Sequence, residues 1–354
     1  MFIEKFTSLL QHFALFAISS SDKMKNEVSY MKKIKVAMIG VNLNSHSSQI
    51  WNKLIRNTDT FDVAGYVLPE NERAKYPGKM QMLEGYPELE LDSVLSDPTI
   101  DAVVIETDEI YLTKYALMAA RAGKAMHMEK PGGHDLLQFE ELTKTVKEND
   151  VLWHIGYMYR YNPVLNEAIA AANSGELGDI TSIDIQMNGI HSPDQLEWIA
   201  TFKGGMMFYL GCHLVDIVLR VQGVPEKVTA WTRDSGRFCL AALEYKNGVS
   251  TVKSCDTEYG GFDRRQCVIT GTKKTVEIRP LEVLTGIPDE IFTEKIEYSD
   301  TAWTDRGVHT QSDKMDRYEG MMLEFAAMVR GEKENPFTPD YELTLYKTIL
   351  ECCK

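Results

Sequence analysis

Between Lys33 and Asp150 four short apolar runs alternate with stretches of helical spacing, and this alternation restricts the fold more than any other feature. IKVAMIG (34–40), FDVAGYVL (61–68), AVVIE (102–106) and KAMHME (124–129) carry few charges between them. A strand that is apolar on both faces has to be covered on both faces. TKYALMAARAG (113–123) is one of the intervening helices, and it stops at a glycine, as helices commonly do. A doubly wound parallel sheet follows, with ligands expected at the carboxyl ends of its strands.

After about Val151 the texture changes. A helix near 163–173 is followed by strand-like runs ITSIDIQMNG, KVTAWTR, FCLAALEY, VSTVKSC, RQCVITG and KTVEIRP, several joined by short turns such as KNG and GTKK. Short turns mean antiparallel pairing. Two helices, at about 316–331 and 340–352, follow. The expected fold is therefore α/β: a Rossmann-type parallel sheet over 31–150, then an α+β domain over 151–354 with a large, mostly antiparallel open sheet. Helices near 163, 206, 316 and 340 are expected to cover one face of that sheet. The other face is expected to form an apolar interface with further copies, as a homodimer or homotetramer.

Composition narrows the function classes. The 354 residues carry a net charge of −14, which argues against nucleic acid as a partner. No apolar run approaches the roughly 20 residues needed to span a bilayer. None of the six cysteines forms a C-x-x-C pair, so neither a metal site nor a disulfide framework is signalled, and a reducing, cytoplasmic setting is expected. Residues 1–30 read as an N-terminal extension. Their apolar patch is interrupted by Gln11 and His12, with only Lys5 as early positive charge, which makes a poor signal peptide.

Three clusters carry chemistry. In a G-x-G-x-x-G loop the glycines form the turn, admit a pyrophosphate and let the helix approach; here those positions hold Gly40, Asn42 and Ser45. Asn44, Ser45, Ser47 and Ser48 crowd the helix start, where free N–H groups favour anions. At the end of the fourth strand stand Glu129, Lys130 and Pro131. A lysine there can donate to a substrate hydroxyl, although the pair also suits a surface turn before a helix capped by Asp135. Further on, His213 and Asp216 are spaced i, i+3 on one helix, with Tyr209 a turn earlier. They suit proton exchange with a hydroxyl, or a core histidine satisfied by its neighbour. His191 and Trp198 lie on the preceding loop, where they can shape a pocket.

The ordered set of the strand–glycine start (34–40), EKP (129–131), GYMYRYNP (156–163) and GCHLVD (211–216) resembles the Gfo/Idh/MocA oxidoreductase family. GELGDI, GTKKTVEI and RYEGMMLEFAAMVRG are similar to family segments too. The resemblance implies NAD or NADP as cofactor, and hydride transfer to or from a hydroxyl of a sugar, polyol or related small molecule. It implies Lys130 and His213 as catalytic residues, with Tyr209 and Asp216 beside them. Gly40, Asn42, Asn44, Ser45, Thr107, Glu129, Lys130, Pro131 and Arg160 are the implied cofactor contacts, Arg160 having the alternative of pinning the two domains together.

The sequence departs from the family's pattern in several places. Tyr209 stands where inositol-dehydrogenase-like members commonly have aspartate. Leu68 replaces the ribose-binding acid, with Glu70, Arg73 and Lys75 beyond it. TDEIYL (107–112) sets Asp108 and Glu109 beside the dinucleotide's expected path. Two rival functions remain open at this stage: a glycosidase or lyase acting by transient oxidation, and a degenerate member serving as a binding subunit.

Overall fold

The computed structural model describes residues 32–354, so the expectation for residues 1–30 lies outside the described residues. The first sheet has five parallel strands in the order β2-β1-β3-β4-β5. β1 (Ile34–Ile39), β2 (Phe61–Val67), β3 (Ala102–Ile105) and β4 (Ala125–Met128) occupy the four apolar runs. The fifth strand, β5 (Trp153–Ile155), lies beyond residue 150, so the parallel sheet reaches further than the change of texture suggested. WHI is too short to show a period, and its pairing with β4 is what makes it a strand.

Helices α1 (Ser47–Arg56), α2 (Leu91–Ser96), α3 (Glu109–Arg121) and α4 (Leu136–Glu148) join these strands. α3 begins four residues before the expected start, because Glu109 and its neighbours already turn at the end of the β3 loop. Asp135 caps α4 by accepting from the N–H groups of Leu137 and Gln138, which satisfies two orphan donors of the first turn.

The second sheet has eight strands in the order β15-β14-β11-β10-β6-β9-β8-β7. Its members are β6 (Ile180–Gln186), β7 (Lys227–Arg233), β8 (Phe238–Tyr245), β9 (Gly248–Cys255), β10 (Gln266–Gly271), β11 (Thr275–Ile278), β14 (Glu294–Tyr298) and β15 (Val308–Gln311). All neighbours are antiparallel except β6 and β9. The small strands β12 (Val283–Leu284), β13 (Glu290–Phe292) and β16 (Met315–Asp316) make a third sheet that the sequence did not announce.

Five further helices complete the fold: α5 (Pro163–Asn173), α6 (Pro193–Ile199), α7 (Cys212–Gln222), α8 (Glu319–Val329) and α9 (Pro339–Cys352). α5 and α7 pack on the inner face of the large sheet, and α9 lies against both β7 and α4 of the first domain. α8 departs from expectation. It packs against α1 and the turn before α5, and its Phe325 ring meets His127 of β4 and His154 of β5.

The inner face of the large sheet alternates strictly with the outer one. Cys239, Ala241 and Leu243 are buried, whereas Phe238, Leu240 and Ala242 are half-exposed. The outer face also carries Asp184, Thr251, Lys253 and Glu277. It is thus mixed in polarity, where a mainly apolar surface was expected.

Candidate active site

The site lies where the carboxyl edge of the parallel sheet meets the turn leading into α7. Gly40 ends β1 with φ +84, and a Cβ there would lie 2.5 Å from Cβ of Thr107. Only glycine allows the loops after β1 and β3 to come this close. The loop that follows satisfies its own donors. Val41 N–H donates to Glu72 at 3.0 Å, Asn42 N–H to the Ser47 hydroxyl at 3.4 Å, and Asn44 N–H to the Asn42 side chain at 3.0 Å.

Asn42, one of the implied cofactor contacts, turns its side chain inward, the amide donating to Glu109 at 2.7 Å. Thr107 is buried and donates its hydroxyl to Glu72 at 2.5 Å, so this side chain is committed to the loop itself. Glu72 was not singled out from the sequence. It sits in the charged run ENERAK, where nothing local distinguishes a buried carboxylate from a solvated one.

Four carboxyl groups lie buried around this loop: Glu72, Glu106, Glu109 and Glu129. Burial disfavours their charged forms. It pushes Glu72 and Glu109 up to about 8 and Glu106 well above the usual carboxylate range. Glu129 is raised by burial also, with Lys130 pulling it back. The two acids of TDEIYL are thus accounted for. Glu109 is held largely neutral beside Asn42, and Asp108 accepts from Tyr76 at 2.5 Å and faces Lys75 at 3.6 Å.

At the start of α1 a residue appears that sequence reasoning missed. Lys79 donates to the Ser48 hydroxyl at 2.8 Å and lies 3.4 Å from that of Ser47. A cation is unfavourable at the positive end of a helix. Lys79, two serine hydroxyls and the free N–H groups of the first turn would favour an anion between them. At the ribose end, Glu70 is held by Lys114 and Tyr115, and Arg73 pairs with Glu88.

Lys130 follows β4 and is 3% exposed. Its ammonium donates to the backbone carbonyl of Tyr209 at 2.7 Å, lies 4.7 Å from the centre of the Tyr209 ring and is 3.7 Å from Glu129. Tyr209 in turn directs its hydroxyl at the Asn44 carbonyl, 3.4 Å away. One tyrosine thus touches both the lysine and the glycine loop. The segment Met207–Gly211 winds as a π-helix before α7 begins. Such wide turns are common at functional sites, and here the regular helical spacing assumed between Tyr209 and His213 is broken.

His213 is buried, its ring edge-on to Tyr157 and Tyr159 at 5.7 and 5.4 Å. Its Nδ1 has no hydrogen-bond partner. Burial, with the positive charge of Lys130 behind it, lowers its pKa well below the ordinary value, so it is a neutral imidazole at pH 7. The i+3 carboxylate does not serve it. Asp216 accepts from Arg160 at 2.8 Å and from the Tyr341 hydroxyl at 2.8 Å. Arg160 also donates to both oxygens of Glu342, at 2.6 and 3.0 Å. Its donors join the turn before α5 to α7 and α9.

A wall of aromatic rings borders Tyr209. Trp198 stands edge-on to it at 5.1 Å and His191 at 5.9 Å. Phe202 lies 4.5 Å from Trp198. His191 and Trp198, read from the sequence only as pocket-shaping candidates, are both brought to this ring.

Comparison with known proteins gives the architecture its context. Residues 34–157 match the family model of oxidoreductases with an NAD-binding Rossmann fold, and residues 165–277 match the GFO/IDH/MocA C-terminal domain. The chain belongs to the Gfo/Idh/MocA family. An NADP(+)-dependent scyllo-inositol 2-dehydrogenase of Bacillus subtilis is 25% identical over 206 residues, covering 56% of this chain and 54% of that relative. An NAD(+)-dependent scyllo-inositol 2-dehydrogenase of the same organism is 35% identical over 85 residues, covering 24% of this chain and 25% of its own length. The matched stretches thus span about half of these relatives or less.

Solved structures share the fold. An oxidoreductase from Thermotoga maritima superposes with a TM-score of 0.72 at 17% identity, covering 91% of this chain and 96% of its own. A 3-ketoreductase from Actinomadura kijaniata, in complex with TDP-benzene and NADP, superposes with a TM-score of 0.70 at 17% identity, covering 89% and 95%. The Gfo/Idh/MocA Rossmann domain is a dinucleotide-binding fold, and the residues at its sheet edge fit such a group. Lys79 and the Ser47 and Ser48 hydroxyls supply charge and donors that the occupied loop N–H groups do not, and burial keeps Glu106 and Glu109 largely protonated.

Proposed function

We propose that this protein is an NAD(P)-dependent oxidoreductase that interconverts a secondary hydroxyl of a sugar, polyol or related small molecule and the corresponding ketone. The observation that carries this reading is the position of Lys130. It is a buried ammonium at the carboxyl edge of the parallel sheet, held against Tyr209, which itself reaches the glycine loop at Asn44. A substrate hydroxyl entering the space beside Tyr209 would meet this donor, which stabilises the developing alkoxide. The half-exposed Trp198 ring beside Tyr209 would meet the C–H surface of a sugar or polyol. His213, neutral and with its Nδ1 unpartnered, is a donor or acceptor for a further hydroxyl.

A nicotinamide dinucleotide, when bound, would supply the hydride acceptor or donor for the carbinol carbon. Lys79, Ser47 and Ser48 would hold its pyrophosphate, with Gly40 and Pro131 shaping the cleft. Six free cysteines, among them the neighbouring buried pair Cys352 and Cys353, suit a reducing cytoplasmic setting. No helix among the described residues is long and apolar enough to cross a membrane. The half-exposed outer face of the large sheet, with Phe238, Leu240 and Ala242, is the proposed contact between copies; light scattering would show a dimer or tetramer.

The deciding experiment identifies the nucleotide released on denaturing the purified protein, by mass and absorbance. It is followed by a screen of polyols and sugars with NAD(+) and NADP(+) for reduced nicotinamide. The absence of both a bound and a titratable nicotinamide dinucleotide would sink the proposal.

A further inference from the structure

The loop that carries His191 is held more tightly than its irregular shape suggests. β6 and β9 pair in parallel, and the pairing is prolonged past the end of β6 by Met187 N–H to Lys253 O at 3.1 Å and Gly189 N–H to Cys255 O at 2.9 Å. The next residue of the partner strand is Asp256. It is 1% exposed, and one of its oxygens accepts from the His191 backbone N–H at 2.6 Å and contacts Nδ1 of the same residue at 2.5 Å. Its other oxygen accepts from Arg237 at 3.2 Å. The carboxylate therefore fixes both the backbone and the ring of His191.

A buried carboxylate against Nδ1 places the ring proton there and leaves Nε2 as the acceptor. The His191 side chain is 14% exposed, whereas His213 is 2% exposed, so the His191 ring is the more accessible of the two. It stands edge-on to Tyr209, the ring that also contacts the Lys130 ammonium. The family resemblance pointed to His213 as the proton acceptor with Asp216 beside it. In this chain Asp216 is bound to Arg160, and Tyr209 replaces the aspartate that would complete the set.

We propose that His191, oriented by Asp256, is the group that takes the substrate's hydroxyl proton. The inference rests on the oxidoreductase reading and names the base for it. In the oxidative direction the carbinol carbon loses a hydride to the nicotinamide dinucleotide as oxidant. The C–O single bond becomes C=O, and the hydroxyl proton passes to Nε2 of His191. The resulting imidazolium faces the Asp256 carboxylate and returns the proton to solvent at its exposed edge. His191 is then a catalytic residue, and Asp256 a positioning residue that acts through it.

Three variants and one spectroscopic measurement test this. His191→Ala is expected to lower kcat by about a hundredfold or more, with KM and nucleotide retention changed little. Free imidazole at millimolar concentration is expected to restore part of the lost rate, an effect that a purely structural role for the ring would not show. Asp256→Asn is expected to lower kcat about tenfold or more, and imidazole is expected to leave the rate of His213→Ala, whatever its level, unchanged. Nitrogen-15 spectra of the histidine rings are expected to show His191 as the Nδ1-protonated tautomer, and to lose that preference in Asp256→Asn.

Wild-type kcat in His191→Ala, imidazole rescue of His213→Ala instead, or an Nε2-protonated His191 would each overturn the assignment. Wild-type protein that shows the Nδ1 tautomer but oxidises no polyol with either dinucleotide would overturn the oxidoreductase reading and the catalytic role together, leaving the His191–Asp256 pair as a clamp on the loop.

Discussion

The ammonium of Lys130 lies 4.7 Å from the centre of the Tyr209 ring while donating to that residue's own carbonyl. A cation over a ring face is attracted to it, and the carbonyl fixes the direction of approach. The lysine is thereby aimed without a carboxylate from α7, which is what the replacement of aspartate by Tyr209 requires. Lys130→Ala is expected to lower kcat by about a hundredfold. Dinucleotide affinity is expected to change much less, because Lys79 and α1 lie elsewhere on the loop. Steady-state kinetics with a fluorescence titration of the reduced nucleotide would separate the two effects.

Lys79 carries the opposite expectation. Its bonds to Ser48 and Ser47 make it the cation nearest the start of α1. Lys79→Ala should weaken dinucleotide binding by about tenfold or more, the scale of one lost charge-assisted hydrogen bond. Added salt should weaken the wild-type protein more than the variant. Calorimetric titration at two ionic strengths checks both statements.

The Arg160 network predicts a stability effect without a cofactor effect. Removing the guanidinium leaves Asp216 and Glu342 buried, each at 1% exposure, with no cation between them. Arg160→Met should cost about 3–5 kcal/mol of stability and lower Tm, while nucleotide affinity per folded molecule stays the same. Chemical denaturation with binding measured on the folded fraction tests this.

Buried acids and histidines give the unliganded protein a definite pH response. Glu72 and Glu109 are raised from 4.5 to about 8 in the fold by burial, and Glu106 further. Their contribution is complete below 4.5 and is lost as pH rises toward 8, because the unfolded chain then sheds protons that the folded chain keeps. His127 is lowered from 6.5 to about 3 by burial, and His154 well below 6.5; their rings meet at 2.7 Å between the two Nδ1 atoms, so one must act as acceptor. Their contribution is complete above 6.5 and is lost as pH falls toward 3. The two trends oppose each other between about 4.5 and 6.5. Tm should therefore fall as pH is raised from 6.5 to 8, and fall again below about 4.5. Glu72→Gln, which keeps an acceptor for Val41, should flatten the alkaline limb; a Tm that rises from pH 6.5 to 8 would contradict the account.

What the sequence determined by itself was whatever is encoded in short range. Continuous apolar runs specified four strands of the parallel sheet, and short turns specified the antiparallel pairing of the large one. Asp135 announced a helix start, and the order of EKP and GCHLVD announced the family. These signals survive in one dimension because side-chain period and caps depend on neighbours a few residues away. The partners of each polar group were decided only by the tertiary structure. Asp216 lies three residues from His213 yet binds Arg160, 56 residues away in sequence, and His191 finds Asp256 at a separation of 65. Glu72 reaches Val41 across 31 residues, and Asn42 meets Glu109 across 67. A carboxylate in a charged run carries no mark of whether it will be buried. Its partner is the donor that the packed strands and helices leave beside it, and burial then sets both its charge and its role.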